Sequence, residues 1–336
     1  MDMGKWMTDV IAADRKRAIP ILSFPAIQKM GVTVAELIGS AEIQAEAMKV
    51  AADCVDAGAS VSFMDLSVEA EAFGSKIVVS DDEVPTVIGA IIDEDADPED
   101  VSVPKVGDGR TGLCVDAVRR AVSMIEDRPV LAGAIGPFSL AGRLMDVNEV
   151  MVLCYEEPEL VHAVLDKAAK FIIEYVEAFK GVGANGVILA EPLAGLLPPD
   201  FLAEFSTPYV KRVVEAVQDD SFIVVYHNCG SSVVKSAEAV IATGAAGFHF
   251  GNAVNMSDIV PLIPADCLVM GNVDPAGEIK NGTPESVRAK TLEVMESCCG
   301  FPNFVISTGC DIPPMAPWEN IEAFFAAVDE FYQKRN

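Results

Sequence analysis

Short β-rich runs alternate along this chain with longer segments whose apolar residues recur at helical spacing. Eight runs have the composition of buried strands, at residues 21–24, 61–65, 130–135, 186–190, 222–226, 247–250, 267–271 and 304–307. Helical patterns lie between them, for example at residues 159–180, 208–217, 232–243 and 284–298. Strands that alternate with helices pair in parallel through right-handed crossovers, so this order predicts an α/β fold. Eight such units predict a (βα)8 TIM barrel.

A doubly wound open sheet is the main alternative for the same alternation. Sheets of that kind that bind dinucleotides carry a G-x-G-x-x-G turn after the first strand. No such turn follows residues 21–24. We therefore expect one barrel domain over residues 1–336, with an N-terminal helical extension and an acidic insertion near residues 81–110. The most acidic part of the insertion, residues 91–100, is interpreted as a solvated surface segment.

The charge balance excludes several classes of partner. Acidic residues outnumber basic ones by 51 to 24 and give a net charge of −27, which repels nucleic acid and anionic lipid. Every apolar run ends well short of the roughly 18 residues that a bilayer-spanning helix needs. The first residues lack the basic and then apolar order of a secretory signal. We expect a cytoplasmic protein that binds neither nucleic acid nor membrane, with its eight cysteines reduced.

Polar residues collect where the predicted strands end. His227 and Cys229 follow the fifth strand, and Cys310 follows the eighth. Further polar residues at predicted strand ends are Asp65, Glu69, Glu191, His249, Asn252, Asn272, Asp274 and Asp311. Catalytic groups of TIM barrels lie at the carboxyl ends of the strands and in the loops just beyond them. The predicted topology therefore brings these side chains to one mouth.

His227, Cys229 and Cys310 have the chemistry of a zinc site. Catalytic zinc takes three protein ligands and keeps one position open, and two thiolates with one imidazole suit the activation of a thiol. Hydrolytic zinc more often uses several His or a His and Glu set, and the H-E-x-x-H motif is absent. An H-x-C pair alone is more often a core histidine beside an ordinary cysteine. Gly309, which permits close backbone approach beside Cys310, leaves the two interpretations evenly balanced.

Six motifs carry a family resemblance. They are Asp-Leu-Ser-Val-Glu-Ala-Glu-Ala-Phe-Gly at 65–74, Gly-Pro-Phe-Ser-Leu-Ala-Gly at 136–142, Glu-Pro-Leu-Ala-Gly at 191–195, His-Asn-Cys-Gly at 227–230, Gly-Asn-Val-Asp-Pro at 271–275 and Ser-Thr-Gly-Cys-Asp-Ile-Pro-Pro at 307–314. Over nearly its whole length the chain resembles the uroporphyrinogen decarboxylase superfamily, and within it the methylcobamide:coenzyme M methyltransferases. The His-x-Cys and the last motif are the specific ones.

The resemblance implies a TIM barrel in which His227, Cys229 and Cys310 hold Zn²⁺. It also implies that a methyl group passes from methylcobalamin, carried by a partner corrinoid protein, to a small thiol such as coenzyme M. Glu191 is expected to take the thiol proton or to occupy the open zinc position, and a solvated loop glutamate is the equal alternative. The expected substrate or corrinoid site comprises His249, Asn252, Asn272 and Asp274, with packing as the alternative for His249 and helix capping for Asp274.

Other functions of the superfamily are weighed on the same residues. Decarboxylases grip their substrate carboxylates with an arginine-rich N-terminal segment that contains Trp-Met-Arg-Gln-Ala-Gly-Arg, and that run is absent here. Decarboxylation of a porphyrinogen is therefore not expected. The sulfonate of coenzyme M needs an anion site, for which Arg143 and Lys235 are the nearest candidates. Another thiol, tetrahydrofolate, or a catalytically idle barrel that binds a corrinoid or tetrapyrrole are the alternatives.

Overall fold

The computed structural model describes residues 1–94, 96 and 101–335. The described residues form nine strands and fifteen α-helices. The strands are β1 (Ser60–Val61), β2 (Lys76–Val78), β3 (Thr86–Ile88), β4 (Val130–Ile135), β5 (Gly186–Ala190), β6 (Ile223–Asn228), β7 (Gly247–Phe250), β8 (Leu268–Val273) and β9 (Phe304–Thr308). The helices are α1 (Met3–Ala12), α2 (Ala26–Met30), α3 (Val34–Ile38), α4 (Ala41–Cys54), α5 (Val68–Ala72), α6 (Thr111–Met124), α7 (Pro137–Met145), α8 (Val147–Glu156), α9 (Pro158–Gly181), α10 (Pro199–Phe205), α11 (Thr207–Val217), α12 (Ala237–Ile241), α13 (Met256–Ile259), α14 (Pro284–Cys298) and α15 (Trp318–Gln333).

Seven strands form a curled, wholly parallel sheet in the order β1-β4-β5-β6-β7-β8-β9. Helices separate successive strands along the chain, as parallel pairing requires. The predicted α/β fold of the TIM-barrel type is confirmed. The one-domain boundaries 1–336 stay a prediction.

The first predicted strand, at residues 21–24, is wrong as a strand. Backbone hydrogen bonds nevertheless place this part of the chain between β9 and the residues before β1: Ile19 N donates to Ile306 O at 3.0 Å, and Gly58 N donates to Ala18 O at 2.8 Å. Pro20 interrupts the segment and has no N–H to donate, so a regular ladder cannot form. Irregular chain takes the eighth position of the barrel.

Strand boundaries decide where the site residues lie. β4, β5 and β7 have the predicted bounds, whereas the second predicted strand, 61–65, is only Ser60–Val61. β6 and β8 run further than predicted, because their pairing continues through His227↔His249 and Asn272↔Ser307. His227 and Asn272 therefore lie inside strands rather than after them, which corrects the prediction for both residues.

The amino-terminal half of the barrel interior is filled with apolar side chains. Met3 and Met7 of α1 pack there with strand residues such as Leu131, Ile188 and Ile223. Met3 is completely buried, so the predicted N-terminal helix closes this end of the barrel. The polar side chains of the predicted site, such as His227 and Glu191, lie at the opposite, carboxyl end of the strands.

A separate antiparallel hairpin, β2 with β3, follows α5 beside that carboxyl end. It overlaps the start of the predicted acidic insertion near 81–110. Within the acidic segment 91–100, residues 95 and 97–100 lie outside the described residues. Among the helices that the structure describes, none has the length and apolar character needed to cross a membrane.

Candidate metal centre

His227 is held in one orientation by a chain of buried polar groups. Its Nδ1 lies 2.7 Å from Nδ1 of His249 on the neighbouring strand, and Nε2 of His249 lies 2.9 Å from the Ser307 hydroxyl on β9. Both histidines are at most 2% exposed. If Nδ1 of His227 donates to His249, Nε2 of His227 keeps its lone pair. A histidine fixed through one ring nitrogen is the usual arrangement of a metal ligand.

Cys310 lies at that second nitrogen. Its Sγ is 3.7 Å from Nε2 of His227. Two ligands of a tetrahedral zinc, at ordinary Zn–S and Zn–N bond lengths, are about 3.6 Å apart. The predicted pair of donors from β6 and the loop after β9 therefore meets at the spacing of two zinc ligands.

Cys229 is the third predicted donor, one residue beyond β6. It lies close enough to contribute, after burial and Asp311, to raising the pKa of Cys310. Nevertheless, no three His, Cys, Asp or Glu side chains are arranged to hold a metal ion in the part of the chain that the structure describes. The structure thus brings together His227 and Cys310 and leaves Cys229 outside a three-donor group.

Burial determines the protonation of these donors. It lowers the pKa of His227 to about 4, so the imidazole is neutral as a metal ligand requires. It raises the pKa of Cys310 to about 12, with smaller contributions from Asp311 and Cys229. A thiol in such surroundings becomes a thiolate only beside a positive charge. The donor set therefore fits a zinc ion, and two of its three members already have ligand spacing.

Glu191 has a different environment from the one predicted. It is completely buried, so the alternative of a solvated loop glutamate is wrong. Its carboxylate accepts hydrogen bonds from Phe138 N, from Ser139 N and from the Ser139 hydroxyl, at 2.7–2.9 Å. These groups form the N terminus of α7, where a carboxylate is favourable. Burial still raises the pKa of Glu191 to about 7, against the effect of those hydrogen bonds.

Three of the four residues predicted for the substrate or corrinoid site share one cleft of about 560 Å³, namely Asn252, Asn272 and Asp274. Asn272 also donates to Gly251 O and Val254 O and so fastens the loop after β7. Asp274 accepts from Ala276 N and Gly277 N, which confirms the capping alternative. His249 lies apart from this cleft and is completely buried beside His227.

Sequence reasoning missed Arg110. Its guanidinium pairs with Asp65, with Glu71 at 2.6 Å and with the Ser67 hydroxyl at 2.8 Å. It thereby ties the segment after β1 to the start of α6. Nothing in the spacing of this residue pairs it with Asp65, 45 positions away. The sequence gives one general signal: basic residues are few in this acidic chain, so an arginine is favoured where acidic side chains cluster.

The chain is similar over most of its length to one known protein family. A sequence profile described as Uroporphyrinogen decarboxylase (URO-D) matches residues 18–331. The chain belongs to this family. The match covers all of the parallel strands and the three predicted metal ligands, and it confirms the resemblance that the motifs predicted.

Relatives within the family carry two kinds of name. Methylcobamide:CoM methyltransferase MtbA of Methanosarcina acetivorans is 28% identical over 262 residues, which cover 77% of this chain and 75% of the relative. Uroporphyrinogen decarboxylase of Desulfotalea psychrophila is 24% identical over 315 residues, which cover 91% and 90%. A solved structure named methyltransferase from Methanosarcina mazei superposes with a TM-score of 0.86 over 99% of both chains at 23% identity, which shows the shared fold.

Proposed function

We propose that this protein is a methyltransferase that moves a methyl group from a methylated corrinoid, carried by a partner protein, to a small thiol, with coenzyme M as the acceptor. The observation that carries the proposal is the approach of His227 Nε2 to Cys310 Sγ at 3.7 Å. These donors come from strand ends that meet at the catalytic end of a TIM-type barrel. Relatives named as methylcobamide:CoM methyltransferases support the same chemistry.

The residues that would hold Zn²⁺ are His227, Cys229 and Cys310. Bound there, zinc would supply the positive charge that keeps the acceptor thiol deprotonated and nucleophilic. His249 and Ser307 hold the His227 ring in the orientation that presents Nε2. They act as positioning residues, since they contact the ligand and not the metal. Removing such partners typically weakens metal binding roughly 10- to 100-fold.

The proposal also assigns roles to Glu191 and to the cleft beside β7 and β8. Three hydrogen-bond donors on α7 already occupy three of the four acceptor positions of the Glu191 carboxylate and fix its orientation. A positioning role, in which Glu191 joins the end of β5 to α7, is favoured. The cleft lined by Asn252, Asn272 and Asp274 is assigned to the approach of the corrinoid.

Decarboxylation is disfavoured by the placement of the cations. A porphyrinogen with several carboxylates needs several free cations at the mouth. Arg15 and Arg17 pair with Asp329 and Asp56, and both line a cleft with Pro129, just before β4 begins, at the opposite end of the barrel. At the mouth, Arg110 is already occupied by acidic side chains.

The test measures zinc content and the demethylation of free methylcobalamin by coenzyme M on the same preparations. We expect wild type to bind about one zinc ion per chain and to demethylate the cofactor. Cys310→Ala should lose both properties. Cys299→Ala is the matched control, because that thiol is exposed and lies at the far end of the barrel beside Phe301, and it should keep both.

Each other outcome points to a different alternative. Zinc without turnover would leave the metal centre standing and redirect the acceptor search to other thiols and to tetrahydrofolate. Absence of zinc from wild type, or equal zinc in Cys310→Ala, would sink the proposed centre. Saturable cobalamin binding without turnover would then favour the binding-protein alternative.

A further inference from the structure

A second cleft opens at the barrel mouth beside the metal donors. Its volume is about 280 Å³. Ser67 after β1, Val87 on the hairpin, Asp311 after β9 and Arg143 on α7 all line it. Asp311 directly follows Cys310, so one wall of the cleft belongs to the segment that carries a predicted metal ligand. The cleft is therefore adjacent to the candidate centre and separate from the one assigned to the corrinoid.

Arg143 is unlike the other arginines of the chain. Eight of the ten arginines lie within 4.0 Å of a carboxylate oxygen. The ninth, Arg335, is exposed and lies over the Phe331 ring. Arg143 is half-buried and has no carboxylate within ion-pair distance in the part of the chain that the structure describes. Burial alone lowers its pKa from the usual value, with no acidic side chain acting against it.

The acidic residues of the cleft do not neutralise this cation. Glu83 pairs instead with Lys280 at 3.1 Å. Asp311 lines the cleft without contributing to the pKa of Arg143. A half-buried guanidinium without a partner costs solvation free energy that an anionic ligand would restore. Because the chain as a whole has a net charge of −27 and repels anions, any binding of an anion in this cleft depends on the local contact with Arg143.

We infer that Arg143 binds the anionic end of the methyl acceptor, which is the sulfonate of coenzyme M or the carboxylate of an analogous short thiol. This inference rests on the proposed function. The acceptor lies along the cleft with its thiol towards Cys310 and its oxyanion on Arg143. A planar guanidinium matches two oxygens of either oxyanion, which a lysine at the same place would match less well. Lys235, the other candidate from the sequence, is exposed and lies outside this cleft.

The kinetic test compares three thiols on zinc-loaded protein: coenzyme M, 3-mercaptopropionate and uncharged 2-mercaptoethanol. We expect Arg143→Gln to raise KM at least about tenfold for an anionic thiol and to leave kcat/KM for 2-mercaptoethanol within about twofold. The preferred anionic thiol in wild type distinguishes sulfonate from carboxylate. Arg143→Lys should fall between wild type and Arg143→Gln. Arg119→Gln, which removes an exposed arginine paired with Asp116, is the control.

A second measurement needs neither turnover nor a thiol. Ethanesulfonate should bind wild type saturably, and its dissociation constant should rise at least about tenfold in Arg143→Gln. Equal binding to both proteins, or none to wild type, would overturn the inference. So would an equal loss of activity with charged and uncharged thiols, which would indicate a structural role. Failure of wild type with every thiol would instead contradict the proposed function, and the ethanesulfonate result would still judge Arg143.

Discussion

His227 and Cys310 are 83 residues apart in the chain, and their side chains are 3.7 Å apart in space. Their chemistry is a property of the residue types, but the partner of each atom is not. His249 occupies Nδ1 of His227 and thereby leaves Nε2 for Cys310. The same distinction applies to Glu191 and Glu69, two buried carboxylates of the mouth. Both oxygens of Glu191 accept hydrogen bonds, whereas one oxygen of Glu69 is buried without a partner among the described residues.

At the residue scale we predict that Glu69 makes the protein less stable as pH rises. Burial raises its pKa from 4.5 to about 7, opposed by a hydrogen bond from Ile135 N. The folded state therefore holds a proton that the unfolded chain releases, so unfolding becomes easier as pH rises through that interval. Glu69→Gln keeps an acceptor for Ile135 N and removes the titration. The loss of unfolding free energy between about pH 5 and about pH 8 should shrink by roughly 2 kcal/mol.

Urea unfolding at the two pH values measures this effect. Glu46→Gln, at an exposed position of α4, is the control and should leave the pH dependence unchanged. Identical pH dependence in wild type and Glu69→Gln would show that the carboxyl titrates normally. It would also indicate that water reaches the oxygen that has no protein partner.

At the scale of elements, the strand-end loops pack backbone against backbone because glycines allow it. A Cβ on Gly230 would lie 2.2 Å from Gly195 O, so the loops after β6 and β5 are in direct backbone contact there. A Cβ on Gly309 would lie 2.5 Å from Asn252 N, so the loops after β9 and β7 are also in direct backbone contact. Gly251 lies against Cys229 in the same manner, with 2.5 Å between the added Cβ and the cysteine Cβ. Glycine is required at these positions because a side chain would prevent the neighbouring loop from approaching so closely.

We predict that Gly251→Ala displaces Cys229 and lowers zinc content while the barrel still folds. Forcing a methyl group into a filled site costs about 1–3 kcal/mol, which a large domain tolerates. Gly181→Ala is the control, since a Cβ there meets nothing within 4 Å. Zinc quantification and urea unfolding on both variants make the comparison. Full zinc content in Gly251→Ala would contradict the proposal that Cys229 is a zinc ligand.

At the scale of the whole molecule, the N-terminal residues complete a barrel that seven strands leave open. Residues 18–21 lie between β9 and the chain before β1, and α1 covers the amino-terminal end. The interior is therefore packed from below by Met3 and Met7. This packing supports the mouth indirectly, because the interior side chains of β6 and β9 rest on the same cluster.

We predict that Met3→Ala destabilises the protein by about 2–5 kcal/mol, the usual cost of removing a buried methionine side chain. Met124→Ala, at a 39% exposed position on α6, should change the free energy of unfolding by less than about 0.5 kcal/mol. The midpoints and slopes of urea unfolding test both. A Met3→Ala loss as small as that of Met124→Ala would mean that α1 is a peripheral attachment.

The sequence by itself determined the order of strands and helices, and the residue types at the strand ends. Both are local properties, because periodicity and motif composition are written along the chain. They were sufficient for the barrel and for the approach of His227 and Cys310. The same local reasoning predicted a strand at residues 21–24, where Pro20 and the irregular partners of Ile19 allow only isolated hydrogen bonds.

Tertiary structure alone decided the directions of side chains and the partners that compete for them. Glu191 turned to the N terminus of α7 because that helix begins beside β5, a fact that no local pattern contains. Arg110 found acids across 45 positions, and Arg143 was left without one in the described chain. Pairing depends on which distant surfaces packing brings together. For that reason a motif can name the donors of a site, whereas only the fold shows which cation remains available for a ligand.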